Sequence, residues 1–273
     1  MSRVLFFIAA VFAAAVLLCP AWAKESNAPW EHGEGQWMES FAVSGYADDG
    51  QKKWDLRGAT AQILDEVVEL QEVVATSYGR ISVTLTSEEG TLDQNQEDIQ
   101  VRRNVVVTTS DGAQIFTELL NWQSAGEIAS TPERVRMVRE QVEIEGTGAK
   151  ALPQEKYVEL HKDVEVRAEP STVITCMGAM EVRYGEENAV FNDNVHVQDD
   201  RGTMSSDILR VWFDPETKKV TKLSAEGNVK ISRANTVTYC EKARYDTQDG
   251  RMILRGSPRV VLRDTQTDGL AIE

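Results

Sequence analysis

The side chains that most often carry catalysis or bind metals are few and scattered in this sequence. It contains His32, His161 and His196, and two cysteines beyond its N-terminal segment, Cys176 and Cys240. No two histidines have the spacing of metal ligands, and the cysteines form no zinc pattern. His161 and His196 fall on polar positions of an alternating pattern, which favours solvated side chains over ligands or catalytic bases. We therefore expect no metal site, no cofactor and no nucleophilic catalysis.

Carboxylates are abundant, but the sequence singles out no catalytic pair. Asp199 and Asp200 are adjacent, and Asp246-x-x-Asp249-Gly250 resembles a fragment of a calcium turn. The chain lacks the repeated glycine and aspartate pattern of calcium-binding stacks, which favours a plain turn. Glycoside cleavage stays open as an alternative, because it needs only two carboxyl groups at a suitable distance.

Three tryptophans are further candidates for ligand contacts, since sugar rings stack on indole surfaces. Trp54, Trp122 and Trp212 lie in or next to alternating apolar segments. Residues of this kind more often fill the ends of a β core, so we expect a structural role. The chemistry-bearing residues thus predict no enzyme, and the elements that position them are more informative.

Those elements form a repeat. An apolar alternation, a polar pair and then V-x-[VIML] recur, as in DIQVRRNVVV (98–107) and LSAEGNVKI (223–231). The valines after the polar pair are 29 to 34 residues apart, which gives seven units of about 30 residues. A fixed period of this length indicates a stacked architecture, and the two-residue alternation indicates strands. The valines are Val74, Val105, Val135, Val164, Val195, Val229 and Val260.

One face of these strands is apolar, because positions −6, −4 and +2 relative to each valine share its side. The polar pairs, such as Gly227-Asn228, predict tight turns. An upstream segment in each unit, such as 119–123, is expected to form a facing strand, so that two sheets enclose the interior. Seven layers would extend on the order of 30–35 Å. The candidate lining residues are Ile99, Val101, Val105, Val107, Val158, Leu160, Val164, Val166, Phe191, Val195, Val197, Leu223, Val229, Ile231, Leu254, Val260 and Leu262.

The two cysteines occupy equivalent places in different units. Cys176 precedes Val195 by 19 residues, and Cys240 precedes Val260 by 20 residues. Two layers of separation exceed the roughly 7 Å limit between the Cα atoms of a disulfide. We predict two free, buried cysteines.

Residues 1–23 have the pattern of an export signal. Arg3 precedes an apolar run at 4–18, and Ala21-Trp22-Ala23 is a small-x-small cleavage motif. We expect cleavage after Ala23, with a retained membrane anchor as the alternative, since the run is of marginal length for a membrane span. Either outcome places the remaining chain outside the cytoplasm.

The remaining chain divides into a tether, a stack and a tail. Residues 24–40 are polar and indicate a flexible tether, residues 41–168 hold four units, residues 169–262 hold three, and residues 263–273 form a tail. The period runs through the seam near residue 169, which favours one continuous stack. The net charge of −15 gives no general attraction to nucleic acid, so we expect no such partner.

Two stretches resemble known families. SFAVSGYADDGQKKWDLRGATAQI (40–63) is similar to the opening of LptC-type periplasmic lipopolysaccharide-transport proteins. AEGNVKI (225–231) and CEKARYDTQDGRMILRGSPRVVL (240–262) resemble the LptA or OstA-like repeat. The resemblance implies an all-β fold, a stacked antiparallel β-jellyroll or β-taco, with an LptC-like part at 41–168 that continues into an LptA-like part at 169–262.

The same resemblance implies a function. Lipopolysaccharide would lie with its acyl chains in the apolar groove of a bridge between the inner and outer membranes. Other lipopolysaccharide-transport proteins would stack on edge strands, and an inner-membrane ABC transporter complex is a further implied partner. The chain departs from the family pattern in joining two parts and in having a cleavable N-terminus.

Two other functions remain as alternatives. A structural or scaffolding envelope β-stack would have a sealed core and no lipid ligand. A polysaccharide-cleaving enzyme on a parallel β-helix would need a local acid and base cluster.

Overall fold

The computed structural model describes residues 36–262, apart from 48, 80, 153, 169–170, 184 and 215–218. Every helix or strand in this part of the chain is a β-strand, which confirms the predicted all-β class. No helix of these residues is long and apolar enough to cross a membrane. The strands are β1 (Gln36–Tyr46), β2 (Lys52–Leu64), β3 (Val67–Ser77), β4 (Val83–Asp93), β5 (Asp98–Thr109), β6 (Gln114–Gln123), β7 (Ile128–Arg139), β8 (Val142–Leu152), β9 (Tyr157–Ala168), β10 (Thr172–Cys176), β11 (Met180–Arg183), β12 (Asn188–Asp199), β13 (Gly202–Phe213), β14 (Val220–Arg233), β15 (Thr236–Asp246), β16 (Met252–Arg255) and β17 (Arg259–Leu262).

The predicted terminal segments fall largely outside the described residues. The export signal at 1–23, the first part of the tether at 24–35 and the tail at 263–273 all lie there. Strand β1 begins at Gln36, so the predicted tether extended too far at 36–40. The polar composition of 36–40 indicated a linker, but these residues form the first half of β1.

The strands form one antiparallel sheet in which each strand pairs with the next along the chain. Strands β10 and β11 together occupy one row between β9 and β12, and β16 and β17 together pair with β15. The prediction that two separate sheets enclose the interior is therefore wrong. The parallel β-helix alternative is also wrong, since all the described pairings are antiparallel.

Most long strands bend near their middle. In β5 the register shifts between Arg102 and Val105, and the two residues between them have φ angles of 63° and 50°. Asp193-Asn194 and Gly227-Asn228 do the same in β12 and β14. The polar pairs were predicted as tight turns; they are bends inside continuous strands. Asn and Gly suit both, because both require the left-handed backbone region.

Each bend divides a strand into two halves, and every described pairing joins halves on the same side of the bends. The sheet therefore has two wings. In the first wing lie 98–102, 157–160, 188–192 and 220–226, and in the second wing lie 105–109, 164–168, 195–199 and 229–233.

The two wings must cover each other. Residues of one face are buried in both wings, as with Val101 and Val105, which are 4% and 1% exposed. The described residues form a single sheet with no second layer, so only the opposite wing can exclude water from this face. The strand itself thus supplies the facing element. Segment 119–123, expected to face its unit, instead pairs beside it, with Trp122 opposite Ile99.

Each repeat supplies two rows of the sheet, one outward strand and one returning strand. The seventeen strands make fifteen rows, which at a spacing of about 4.8 Å extend roughly 65 Å. This is about twice the length expected from seven layers. The ladder passes through the predicted seam without a break, since Ala168 pairs with Thr172 and Leu160 with Met180.

Cys176 and Cys240 are free and buried, as predicted. They lie on β10 and β15, which are four rows apart, or roughly 19 Å, rather than two. Burial raises the pKa of the Cys176 thiol to about 11 and also raises that of Cys240.

Two local features affect stability. Gly227 has a φ of +75°, and a Cβ atom there would lie 2.2 Å from Asp207 Oδ2, whose carboxylate accepts hydrogen bonds from Asn228. Near the other end, the buried Asp55 carboxylate accepts hydrogen bonds from Lys52 Nζ at 2.9 Å and the Tyr78 hydroxyl at 3.0 Å. Burial alone would raise the pKa of Asp55, but these bonds and the nearby positive charges outweigh it and hold that pKa below its usual value.

Candidate functional site

The middle of the space between the wings is closely packed. Phe191, Leu160 and Met180 are 0% exposed, and their side chains belong to one continuous apolar core. Most candidate lining residues are buried in this core, along the length of the sheet, and Ile99 and Leu223 are half-buried. The buried candidates are Val101, Val105, Val107, Val158, Leu160, Val164, Val166, Phe191, Val195, Val197, Val229 and Ile231.

The last candidates lie at the C-terminal end of the sheet. Leu254 on β16 is half-buried, whereas Val260 and Leu262 on β17 are 57% and 76% exposed. Alternation correctly assigns Val260 to the inward side, since it pairs with Thr238, which in turn pairs with Ile231. The expectation that Val260 and Leu262 lie in an enclosed interior is wrong, because no further row of the described residues covers them.

Next to this end, the wings separate around a cavity of about 350 Å³. Its floor is apolar and comes from both wings, while polar side chains from the strand ends form its rim. The floor residues are Val197, Met204, Val220, Leu223, Ala225, Ile231, Ala243 and Met252, and the rim residues include Asp199, Arg201, Thr203, Arg233, Tyr245 and Thr247.

The cavity arises from a change of side-chain size along one line of paired residues that crosses the strands of the first wing. Phe191 pairs with Leu209, Leu209 with Ala225, and Ala225 with Ala243. Large side chains fill the middle of the sheet, and two alanines leave space further along. An apolar cavity of about 150 Å³ holds one benzene molecule, so this cavity has room for about 14 carbon atoms.

Four floor residues, Val197, Leu223, Ala225 and Ile231, lie at positions that the repeat predicts to face inward. The repeat pattern missed Met204 and Met252, because it was anchored on one strand of each unit and these residues lie on returning strands. Neither segment shows a clear apolar alternation, since 202–206 is Gly-Thr-Met-Ser-Ser and 252–254 is Met-Ile-Leu.

The rim combines one ion pair with a second cation. Arg201 Nη2 and Nε donate to Asp199 Oδ2 at 2.7 and 3.0 Å. Burial would raise the pKa of Asp199, but the bonds and charge of Arg201 hold it below its usual value. Arg233 is exposed, and among the described residues no carboxylate lies within 4.0 Å of its guanidinium.

The chemistry-bearing residues are dispersed elsewhere. His161 and His196 are exposed, and His32 lies outside the described residues. Asp246 and Asp249 accept backbone N–H groups of the turn before β16, as a plain turn requires. No group of three or more histidine, cysteine or acidic residues within the described part could hold a metal ion.

The tryptophans have structural contacts. Trp122 is buried in the core, and Trp54 packs against it from the first end of the sheet. Lys222 Nζ lies 4.4 Å from the centroid of the Trp212 ring and covers one of its faces.

Comparison with protein families agrees with this architecture. A family model described as lipopolysaccharide-assembly, LptC-related, matches residues 4–169, more than half of the chain. The chain belongs to the LptC-related family. A second model, described as LptA/(LptD N-terminal domain) LPS transport protein, matches residues 178–273. No curated protein matches the chain significantly.

The LptC-related assignment confirms the resemblance found in the sequence and makes the chain a lipopolysaccharide-transport component of the cell envelope. Both families consist of transport proteins rather than enzymes.

Proposed function

We propose that this chain is a segment of a periplasmic bridge between the inner and outer membranes, and that its two wings shield the acyl chains of lipopolysaccharide. The observation that carries the proposal is the apolar cavity, which is lined from both wings and continues into the packed interior. Moving about 14 carbons from water into such a site is worth roughly 11 kcal/mol before the costs of binding, at about 0.8 kcal/mol per CH₂.

Passage beyond the cavity requires the wings to separate. The backbone hydrogen bonds of the described strands run within each wing, so separation breaks side-chain contacts and leaves the ladders intact. An acyl chain between the wings replaces the lost apolar contacts. Lipid entry therefore costs far less than opening a sheet of the same area, where buried backbone groups would lose their partners.

The two family segments divide the proposed bridge. The LptC-like part at 41–168 would face the inner membrane and its ABC transporter complex, and the LptA-like part at 169–262 would extend outward. Strand β1 at one end, and β16 with β17 at the other, have no further partner among the described residues. Such edges can pair with strands of other lipopolysaccharide-transport proteins.

A structural envelope stack is the second candidate. The zero exposure of Phe191, Leu160 and Met180 favours it, because side chains packed this closely leave no room for a ligand in the middle of the sheet. This candidate predicts that the wings never separate.

Photo-crosslinking in producing cells distinguishes the two. A photoreactive side chain would replace Phe191 in the packed middle or Ile231 at the cavity, with the exposed Gln198 as the outward control. We expect lipopolysaccharide to be captured at Phe191 and Ile231 but not at Gln198. Capture at Ile231 alone would contradict passage along the interior, and no capture by folded protein would support the sealed stack.

A further inference from the structure

The rim of the cavity brings two arginines together on a strongly acidic chain. Arg201 lies in the turn between β12 and β13, and Arg233 ends β14. Both line the cavity. Gly202 packs so closely on the end of β14 that a Cβ atom there would lie 2.1 Å from the Ser232 carbonyl oxygen. This contact places the two arginine positions side by side at the opening, in a chain of net charge −15.

The two guanidinium groups differ in their surroundings. Arg201 is held in place by Asp199, which also accepts the backbone N–H of Arg201 at 3.0 Å. Arg233 has no carboxylate within salt-bridge distance in the described part of the chain, so its charge is not neutralised by a neighbour. The cavity lining thus carries two positive charges and one negative charge.

An apolar floor beneath a cationic rim suits one class of molecule. Acyl carbons would occupy the floor, and an anionic group would remain at the water-exposed rim. A guanidinium recognises phosphate through two parallel N–H donors, which a neutral sugar cannot match in strength. Tyr245 lines the cavity on the first wing, opposite the arginines.

We propose that Arg233, with Arg201 beside it, binds the phosphate of an amphiphile whose acyl chain fills the cavity. The inference rests on the proposed function and adds to it the residues that hold the lipid head group, at the tips of β12 to β14. The rim sets which end of the lipid faces water, and the floor supplies most of the affinity.

Binding of two lipids to the full chain tests this inference. The probes are an acylated, phosphorylated disaccharide and its dephosphorylated counterpart, presented in the same detergent at low salt. Arg233→Gln should weaken binding of the phosphorylated lipid by up to about fivefold, the upper end of the range for an exposed charge pair, and leave the other lipid unchanged. Arg233→Lys, which keeps the charge, should retain part of the preference. Arg255→Gln is the matched control, since Arg255 is exposed on the outer side of the first wing.

Each outcome bears on a different claim. If the wild-type chain binds the two lipids equally, and Arg233→Gln does the same, the head-group inference would be overturned. The proposal that the cavity binds acyl chains would remain. Binding of neither lipid would overturn both. If inorganic phosphate binds as tightly as the phosphorylated lipid, the arginines form a site for a free anion. That result would overturn the inference that they bind an amphiphile. Urea unfolding of each variant verifies that the fold is retained.

Discussion

Replacing Ala225 by phenylalanine should fill the cavity between the wings and weaken lipid binding without destabilising the sheet. Ala225 is 2% exposed, faces inward and lines the cavity floor. Its cross-strand partners, Leu209 and Ala243, fix the direction of its side chain. A larger residue at this position therefore enters existing space and does not displace packed atoms.

The expected size of the effect follows from the volumes. A benzene ring needs about 150 Å³, so the new side chain would take roughly two fifths of the cavity of about 350 Å³. Room for about six of 14 acyl carbons is lost, which corresponds to about 5 kcal/mol of transfer free energy at most. Since the lipid can adjust by exposing part of its chain, we expect at least a tenfold loss of affinity.

The assay compares lipid binding and urea unfolding in three variants of the full chain. Val190→Phe adds the same ring on the outward side and should leave binding unchanged. Ala189→Phe adds it to the packed middle, where overpacking should cost about 1–3 kcal/mol of unfolding free energy. Ala225→Phe that binds lipid as tightly as the wild type, or that is as unstable as Ala189→Phe, would refute the reasoning.

Three further predictions concern stability and thiol reactivity. Gly227→Ala should lower the free energy of unfolding in urea by about 1–2 kcal/mol more than Gly50→Ala, because both add strain at positive φ but only Gly227 lacks space for a Cβ; equal losses would contradict this. Asp55→Asn should destabilise the chain by about 1–3 kcal/mol at pH 7. The difference should shrink as the pH falls below about 4, since a carboxylate with a lowered folded pKa contributes above its unfolded pKa and loses that contribution on protonation; a constant difference down to pH 3 would exclude the mechanism. A thiol-reactive dye at pH 8 should label neither Cys176 nor Cys240 before unfolding and both afterwards, and rapid labelling of folded protein would contradict their burial.

The sequence was sufficient to predict the inward residues of most strands on which the repeat was measured, but the anchor Val74 was wrong, since it is 38% exposed and its neighbour Val73 is buried instead. Burial of Val164, Val195 and Phe191 follows from the two-residue alternation, because a strand presents alternate residues to opposite sides. The bends could not be predicted. A pair such as Asp193-Asn194 suits a hairpin turn and a mid-strand bend equally, since both place residues at positive φ.

The site depended on information that spacing does not contain. The cavity exists because Ala225 lies on the same line of cross-strand pairs as Phe191. That line can be predicted only when the register of three neighbouring strands is known. Arg233 lies beside Arg201 only because the turn at Gly202 packs against the end of β14. Neither relation can be obtained from a repeat measured on one strand of each unit.

Pairing only between consecutive rows has a consequence for how the chain folds. The described paired residues farthest apart in sequence, Thr203 and Ser232, are separated by 29 positions. For a protein of many strands this contact order is low, so each new hairpin closes a short loop onto a row that already exists. Folding can then advance from the N-terminus as the chain emerges, with the most recent row serving as the template for the next. A defect in one row would stop growth at that point and leave the completed rows folded.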